Sequence, residues 1–286
     1  MFNLHASLQT GSSVPPPQCA SGYQGQLSQN IAHLALTRVV TNRDVPQLIR
    51  ELTTTEYGAE HGSRISAAAH LARIAQTSEG RDHVATAVNA DVIRLLVGYL
   101  SDSGILRQHA VVILAVVLYF EHSWTPALST RAIPLLVGLV SDPSLDTSVS
   151  AACALAHITR SDAAKKMAAE AGAIPPLVAA LGCPSSQLKQ MAVRAIRNIT
   201  VVDAGRRAAH DSSAVQGLVA LLDDPRLSLN VQYDVVSSLA MIAAHNRAAR
   251  KKMKKAGAFQ KLSRFKNPNV PENLQKVAVD LRDELR

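Results

Sequence analysis

The chain is 286 residues long, 47% hydrophobic but only 3% aromatic, with a formal net charge of +8. That length is ample for a continuous core, and an apolar content drawn from Ala, Leu, Val and Ile favours close helix packing. No run of about 18 apolar residues occurs, which excludes a membrane-spanning helix. Three scattered cysteines, Cys19, Cys153 and Cys183, exclude a disulfide framework or zinc spacing and fit a reducing compartment, cytoplasm or nucleus.

Residues 1–26 are rich in Ser, Gln, Gly and Pro and read as a disordered tail. A basic n-region is missing, and Pro15-Pro16-Pro17 would interrupt an apolar stretch, so this is no secretory signal. No acid precedes Asp44, as in a mitochondrial transit peptide, but no Arg precedes Arg38 either. Phe2 stands where N-myristoylation needs Gly. An entry helix follows, with Ile31, Leu34, Ala35 and Arg38 on one side.

From Val45 a phrase recurs, apolar–Pro–x–Leu–apolar. It reads Val45-Pro46-Gln47-Leu48-Ile49, then Ile93-Arg94-Leu95-Leu96-Val97, Ile133-Pro134-Leu135-Leu136-Val137, Ile174-Pro175-Pro176-Leu177-Val178 and Val215-Gln216-Gly217-Leu218-Val219. It fades at Phe259-Gln260-Lys261-Leu262. A period near forty residues means stacked helical units, none able to bury its apolar face alone. Each unit follows one grammar. A short helix ends at a small-residue turn such as Ala171-Gly172-Ala173, where Gly tolerates a left-handed cap. The following Pro sits in the first turn of the next helix, where its missing N–H costs nothing. A polar break, for example Ser141-Asp142-Pro143 or Asp223-Asp224-Pro225, leads into a long Ala-rich third helix. In the fourth unit, Ala192, Ala195, Ile196 and Ile199 mark that helix's buried stripe.

Residues 171–181 repeat almost letter for letter the phrase Asn-Ala-Gly-Ala-Ile-Pro-Pro-Leu-Val-x-Leu-Leu, and residues 89–100 and 132–140 follow it well. On these residues the chain resembles the armadillo-repeat family over about 42–286; the Gly–Ala–Ile–Pro turn separates it from HEAT repeats. The resemblance implies an all-α, right-handed solenoid of about five to six repeats in a domain spanning 27–286. The units run 42–88, 89–129, 130–170, 171–211, 212–254 and a capping 255–286. An insertion around 53–62 lengthens the first unit, and the last unit lacks the Pro and ends in a helix charged on one side, as a cap requires.

In this family the third helices line a concave groove that holds partners in extended form. In its nuclear-import adaptors, ladders of Trp and Asn clamp basic stems and hold the ligand backbone. Here the Trp positions carry Ala69, Val112, Cys153, Arg194 and Ser237, and the Asn positions carry Arg73, Val116, His157, Asn198 and Met241. Only Asn198 keeps the family residue, and the sole tryptophan, Trp124, lies in a connecting stretch, so the chain is degenerate relative to those adaptors. Arg73, Arg160, Arg194 and Arg197 would read acidic groups, or else be solvated or paired with local acids. Asn198 would hold backbone. His109, His157, Asp234 and His245 complete the groove face.

The second unit's third helix, 110–120, is apolar all round. Either it is a core helix covered by the insertion or the tail, or Val112, Val116, Tyr119 and Phe120 form an exposed apolar anchor. The run Arg250-Lys251-Lys252-Met253-Lys254-Lys255 reads as a solvated helix face, as a contact for an acidic partner or nucleic acid, or as a nuclear-localisation signal.

No catalytic or metal constellation is visible, and no cofactor is expected. His61, His70 and His83 share no ligand spacing, and Cys153, one turn from His157, lacks a third orienting group. The resemblance therefore implies a non-enzymatic scaffold binding acidic or amphipathic segments of other proteins, within a cytoskeletal, axonemal, adhesion or ubiquitin-ligase assembly. The expected location is cytoplasmic, with cytoskeletal or nuclear association open. The alternatives are nucleic-acid binding, disfavoured by the scarcity of aromatics to stack bases, and nuclear transport, disfavoured by the lost ladders.

Overall fold

The computed structural model describes residues 42–54, 61–102, 104–244 and 246–286, and every regular element among them is helical. The tail, the entry helix and most of the first-unit insertion lie outside the described residues. Grouped so that each unit opens on its short first helix, ahead of the bounds 42–88, 89–129 and onward expected from the recurring phrase, the first repeat contributes α1 (Val45–Thr53) and α2 (His61–Ala75). The second has α3 (Ser78–Ala87), α4 (Ala90–Tyr99) and α5 (Ile105–Val117); the third has α6 (Trp124–Leu128), α7 (Ala132–Leu139) and α8 (Leu145–Ile158). The fourth has α9 (Asp162–Glu170), α10 (Ile174–Ala180) and α11 (Ser186–Ile199), and the fifth α12 (Asp203–Asp211), α13 (Ala214–Leu221) and α14 (Leu229–Ala243). The last has α15 (Arg247–Lys255), α16 (Ala258–Leu262) and α17 (Glu272–Glu284). Trp124 thus opens the first helix of the third repeat rather than lying in a connection.

Local chemistry sets these boundaries. Thr77, Asn89, Ser144, Ser185 and Asn246 cap helix N-termini by accepting main-chain N–H bonds. Pro46 and Pro175 sit in first turns. Gly172 takes φ 72° and Gly257 φ 80°, so the chain reverses between first and second helices through the left-handed region that Gly alone enters freely.

Stacking follows from the apolar stripes. The third helices pack in unbroken series, α2 on α5, α5 on α8, α8 on α11, α11 on α14 and α14 on α17. One buried cluster runs from Val45 to Leu285 with no break between repeats. Near the start of each first helix a small buried residue recurs, namely Gly80, Ser123 (in the turn just ahead of α6), Ala164, Gly205 and Ala249. A Cβ on Gly80 or Gly205 would collide with the carbonyl of Ile74 or Ile199. Ion pairs repeat across the interfaces as well. Arg107 reaches Asp142 at 3.2 Å, and two repeats later Lys189 reaches Asp224 at 3.2 Å.

Candidate functional site

Because the third helices form one layer, equivalent positions on them converge. α2, α5, α8 and α11 enclose a concavity of about 530 Å³, lined by Ala69 and Arg73, by Gln108, Val112 and Val116, by Ser150 and Cys153, and by Gln187. Residues from both ladder registers therefore face one space. α5 divides its apolar surface: Val111, Ile113, Leu114 and Val117 are fully buried, whereas Val112 and Val116 are half-buried and turned to the concavity. Below them His109 is only 4% exposed, and its Nε2 finds no hydrogen-bond partner among the described residues. Burial lowers its pKa. Tyr119 and Phe120 lie beyond the end of α5 and do not line this concavity, so the expected four-residue anchor is split in two.

Two of the Asn-ladder positions, His157 and Asn198, bond to the preceding repeat. His157 Nδ1 lies 2.8 Å from the Ala115 carbonyl of the preceding repeat. Burial lowers its pKa most strongly, against a smaller opposing effect of that hydrogen bond, so the ring is neutral at pH 7 and Nδ1 donates. One repeat on, Asn198 Nδ2 donates to the Ala156 carbonyl at 3.0 Å and to Thr159 Oγ1 at 3.3 Å. Both side chains staple successive third helices together through these bonds. Cys153 Sγ stands 3.9 Å from both imidazole nitrogens of His157. Burial pushes its thiol up to about 11, so it remains protonated and the pair lacks a nucleophilic thiolate.

Three of the four expected anion-reading arginines are engaged internally. Asp234, 6% exposed, lies 3.6 Å from Arg194 Nε and 3.4 Å from Arg197 Nη1. Burial raises the Asp234 carboxyl despite the opposing pull of Arg197 and Arg194. Arg197 also covers the Tyr233 ring at 5.4 Å. Arg160 stands over Tyr119 at 5.8 Å and Trp124 at 5.4 Å, donates to the Tyr119 carbonyl at 3.1 Å and approaches Glu121 at 3.8 Å. Tyr119 remains 48% exposed and meets Phe120 and His157 edge to face at 5.2 and 5.3 Å. Arg73 is exposed and has no ion-pair partner among the described residues. His245 lies outside the described residues.

The basic run forms α15, seated by the fully buried Ala249 and Met253. Arg250 donates to Ala243 O at 2.8 Å, Lys252 to His210 O at 2.7 Å and Lys254 to Arg286 O at 3.0 Å, while Lys251 and Lys255 are exposed. No motif in the sequence announces the polar rim of Gln76, Gln108, Ser150 and Gln187. Extending the ladder positions by one helical turn in either direction reaches the first three.

Repeated three-helix units with their third helices side by side along one concave face define an armadillo solenoid. The chain is an armadillo-repeat protein in fold, and its fourth repeat also carries the sequence signature, since the armadillo/beta-catenin-like repeat family matches residues 161–201. No curated protein matches the chain. Among solved structures, a designed armadillo repeat protein is 28% identical with a TM-score of 0.68, covering 85% of this chain and 100% of that one. A computationally designed armadillo protein for modular peptide recognition is 28% identical with a TM-score of 0.70 over the same shares. Another designed armadillo protein, in complex with the peptide (KR)4, is 26% identical with a TM-score of 0.66, again over 85% and 100%.

Proposed function

We propose that the chain is a non-enzymatic scaffold whose concave groove holds an extended segment of another protein and ties it into a larger, cytoplasmic assembly. The observation that carries this reading is the 530 Å³ concavity, which spans the third helices of four successive repeats and turns both ladder registers to one space. Its dimensions suit several residues of an extended chain, and the chain's similarity in fold to designed peptide-recognition repeats supports the same mode of binding. The basic (KR)4 ligand does not carry over with it. Val112, Val116 and Ala69 offer an apolar floor for side chains, and Arg73 meets an acidic one at the rim. The bound segment is therefore amphipathic, apolar over α5 and acidic beside Arg73. Farther along, Asp234 already occupies the arginines that would take a second acid.

The test is fluorescence anisotropy against a library of labelled amphipathic peptides. V112R/V116R places two charges on the floor and is expected to weaken the best binders by roughly tenfold or more. Asp234→Asn frees Arg194 and Arg197 and is expected to strengthen acidic members several-fold. Unchanged affinities in V112R/V116R overturn the groove assignment.

A further inference from the structure

Away from the groove, the first helices of the last two repeats carry cations that the fold does not explain. α15 contains no acidic residue. Its last-turn lysines, Lys252, Lys254 and Lys255, have a structural reason, because cations offset the partial negative charge of a helix C-terminus. Arg247 has none: it is the first residue of the helix, where the dipole repels a positive charge. Arg247, Lys251 and Lys255 stand at i, i+4 and i+8, all exposed, and like charges so spaced destabilise a helix. Arg207, exposed on α12, faces Arg247 across a cavity of about 290 Å³ that Arg206 and Asp203 also line. Asp203 is taken by Arg206, leaving Arg207, Arg247, Lys251 and Lys255 without a carboxylate among the described residues. Asn246 caps the helix by accepting from Ala249 N at 2.9 Å, so an arriving anion meets guanidinium groups rather than main-chain amides.

From this arrangement we infer a second docking surface, a strip running from Arg207 through Arg247 and Lys251 to Lys255 that takes an extended acidic segment of a partner protein. The spacing selects the ligand. Four residues of helix advance about 6 Å, and an extended chain presents same-side side chains about 6.6 Å apart. Acids at every second position of the partner therefore fall in step with the strip, their carboxylate or phosphate oxygens bridged by the Arg207 and Arg247 forks at the cavity. Neither α12 nor α15 contains a Phe, Tyr or Trp on which a nucleic-acid base could stack, and the His210 ring on α12 contacts Asp211, so polypeptide is favoured over single-stranded RNA. The strip shares no lining residue with the groove, and one molecule can hold two partners at once.

The experiment is anisotropy with four labelled probes: a peptide with Glu at alternate positions, an isomer with its Glu residues in one block, the alternating peptide with phosphoserine for Glu, and oligothymidylate. The alternating peptide is expected to bind more tightly than the blocked isomer. R207E/R247E/K251E should weaken it by roughly tenfold or more, with a melting temperature no lower than that of the wild type, because the exchange relieves the repulsion along α15, while V112R/V116R leaves it unaffected. The phosphoserine arm decides which oxyanion the cavity prefers, and tighter binding of either form supports the strip. The neutral set R207Q/R247Q/K251Q, which adds no repulsion, should give a smaller loss. Equal binding of the two Glu isomers, no loss in either strip variant, or tighter binding of oligothymidylate overturns the proposal.

Discussion

His157 shows how one side chain can change duty while keeping its place. Its imidazole occupies a ladder position but donates to Ala115 of the preceding repeat. Burial holds its folded pKa below the ordinary value near 6.5. The folded state therefore binds the proton less readily than the unfolded state. Stability is complete above the ordinary histidine range and is lost as the pH falls through it toward the folded pKa. Each tenfold difference in proton affinity between the two states is worth about 1.4 kcal/mol. His157→Asn keeps a donor for Ala115, as Asn198 does for Ala156, and removes the titration. Urea unfolding of both proteins between pH 7 and 5 should show the wild type losing stability relative to the variant. His109 shifts in the same direction but is present in both, so the difference isolates His157. Parallel curves would mean that the ring binds its proton equally in the folded and unfolded states, so that burial does not lower its pKa.

At the scale of the element, the same residue type has opposite value in different helices. Gly205 lies where α12 meets the end of α11, and any Cβ there strikes the Ile199 carbonyl. Gly138, inside α7, has nothing within 4 Å of an added Cβ. Gly205→Val is expected to cost about 1–3 kcal/mol by overpacking and shifting the helix outward. Gly138→Ala should stabilise by about 0.5–1 kcal/mol, because it restricts the unfolded chain and improves helix propensity. Thermal denaturation of the two variants distinguishes the contact from the propensity. A neutral Gly205→Val would show that the first helix sits loosely on its neighbour. At the corresponding positions of the fourth and last repeats stand the fully buried Ala164 and Ala249.

Over the whole molecule, stability is a chain of neighbour contacts rather than a single core. The Lys189–Asp224 pair, with side chains 10% and 9% exposed, joins the fourth and fifth repeats. Asp224 is held well below the usual carboxylate range, chiefly by Arg226 and then by Lys189. Removing the acid strands a buried ammonium, so Asp224→Ala is expected to cost about 3–5 kcal/mol. Lys189→Met should cost less, because Asp224 keeps the exposed Arg226 at 2.9 Å. In a solenoid the damage stays near the broken interface. Hydrogen exchange should quicken in α11 to α14 of the Asp224→Ala protein, with α5 and α8 still protected. Uniform loss across all repeats would show that the array unfolds as one cooperative unit.

The sequence alone determined the repeat, its helices and the layer that lines the groove, because period, turn chemistry and apolar stripe are local properties of the chain. It also placed Ala69, Arg73, Val112, Val116 and Cys153 on one face by register. What it left open was the commitment of each polar group. Arg194 and Arg197 are claimed by an Asp234 on the next repeat, Asn198 and His157 by carbonyls some forty residues upstream, and Arg160 by a Tyr–Trp pair. Such pairings depend on distances between side chains of different repeats, which only the stacked tertiary structure sets.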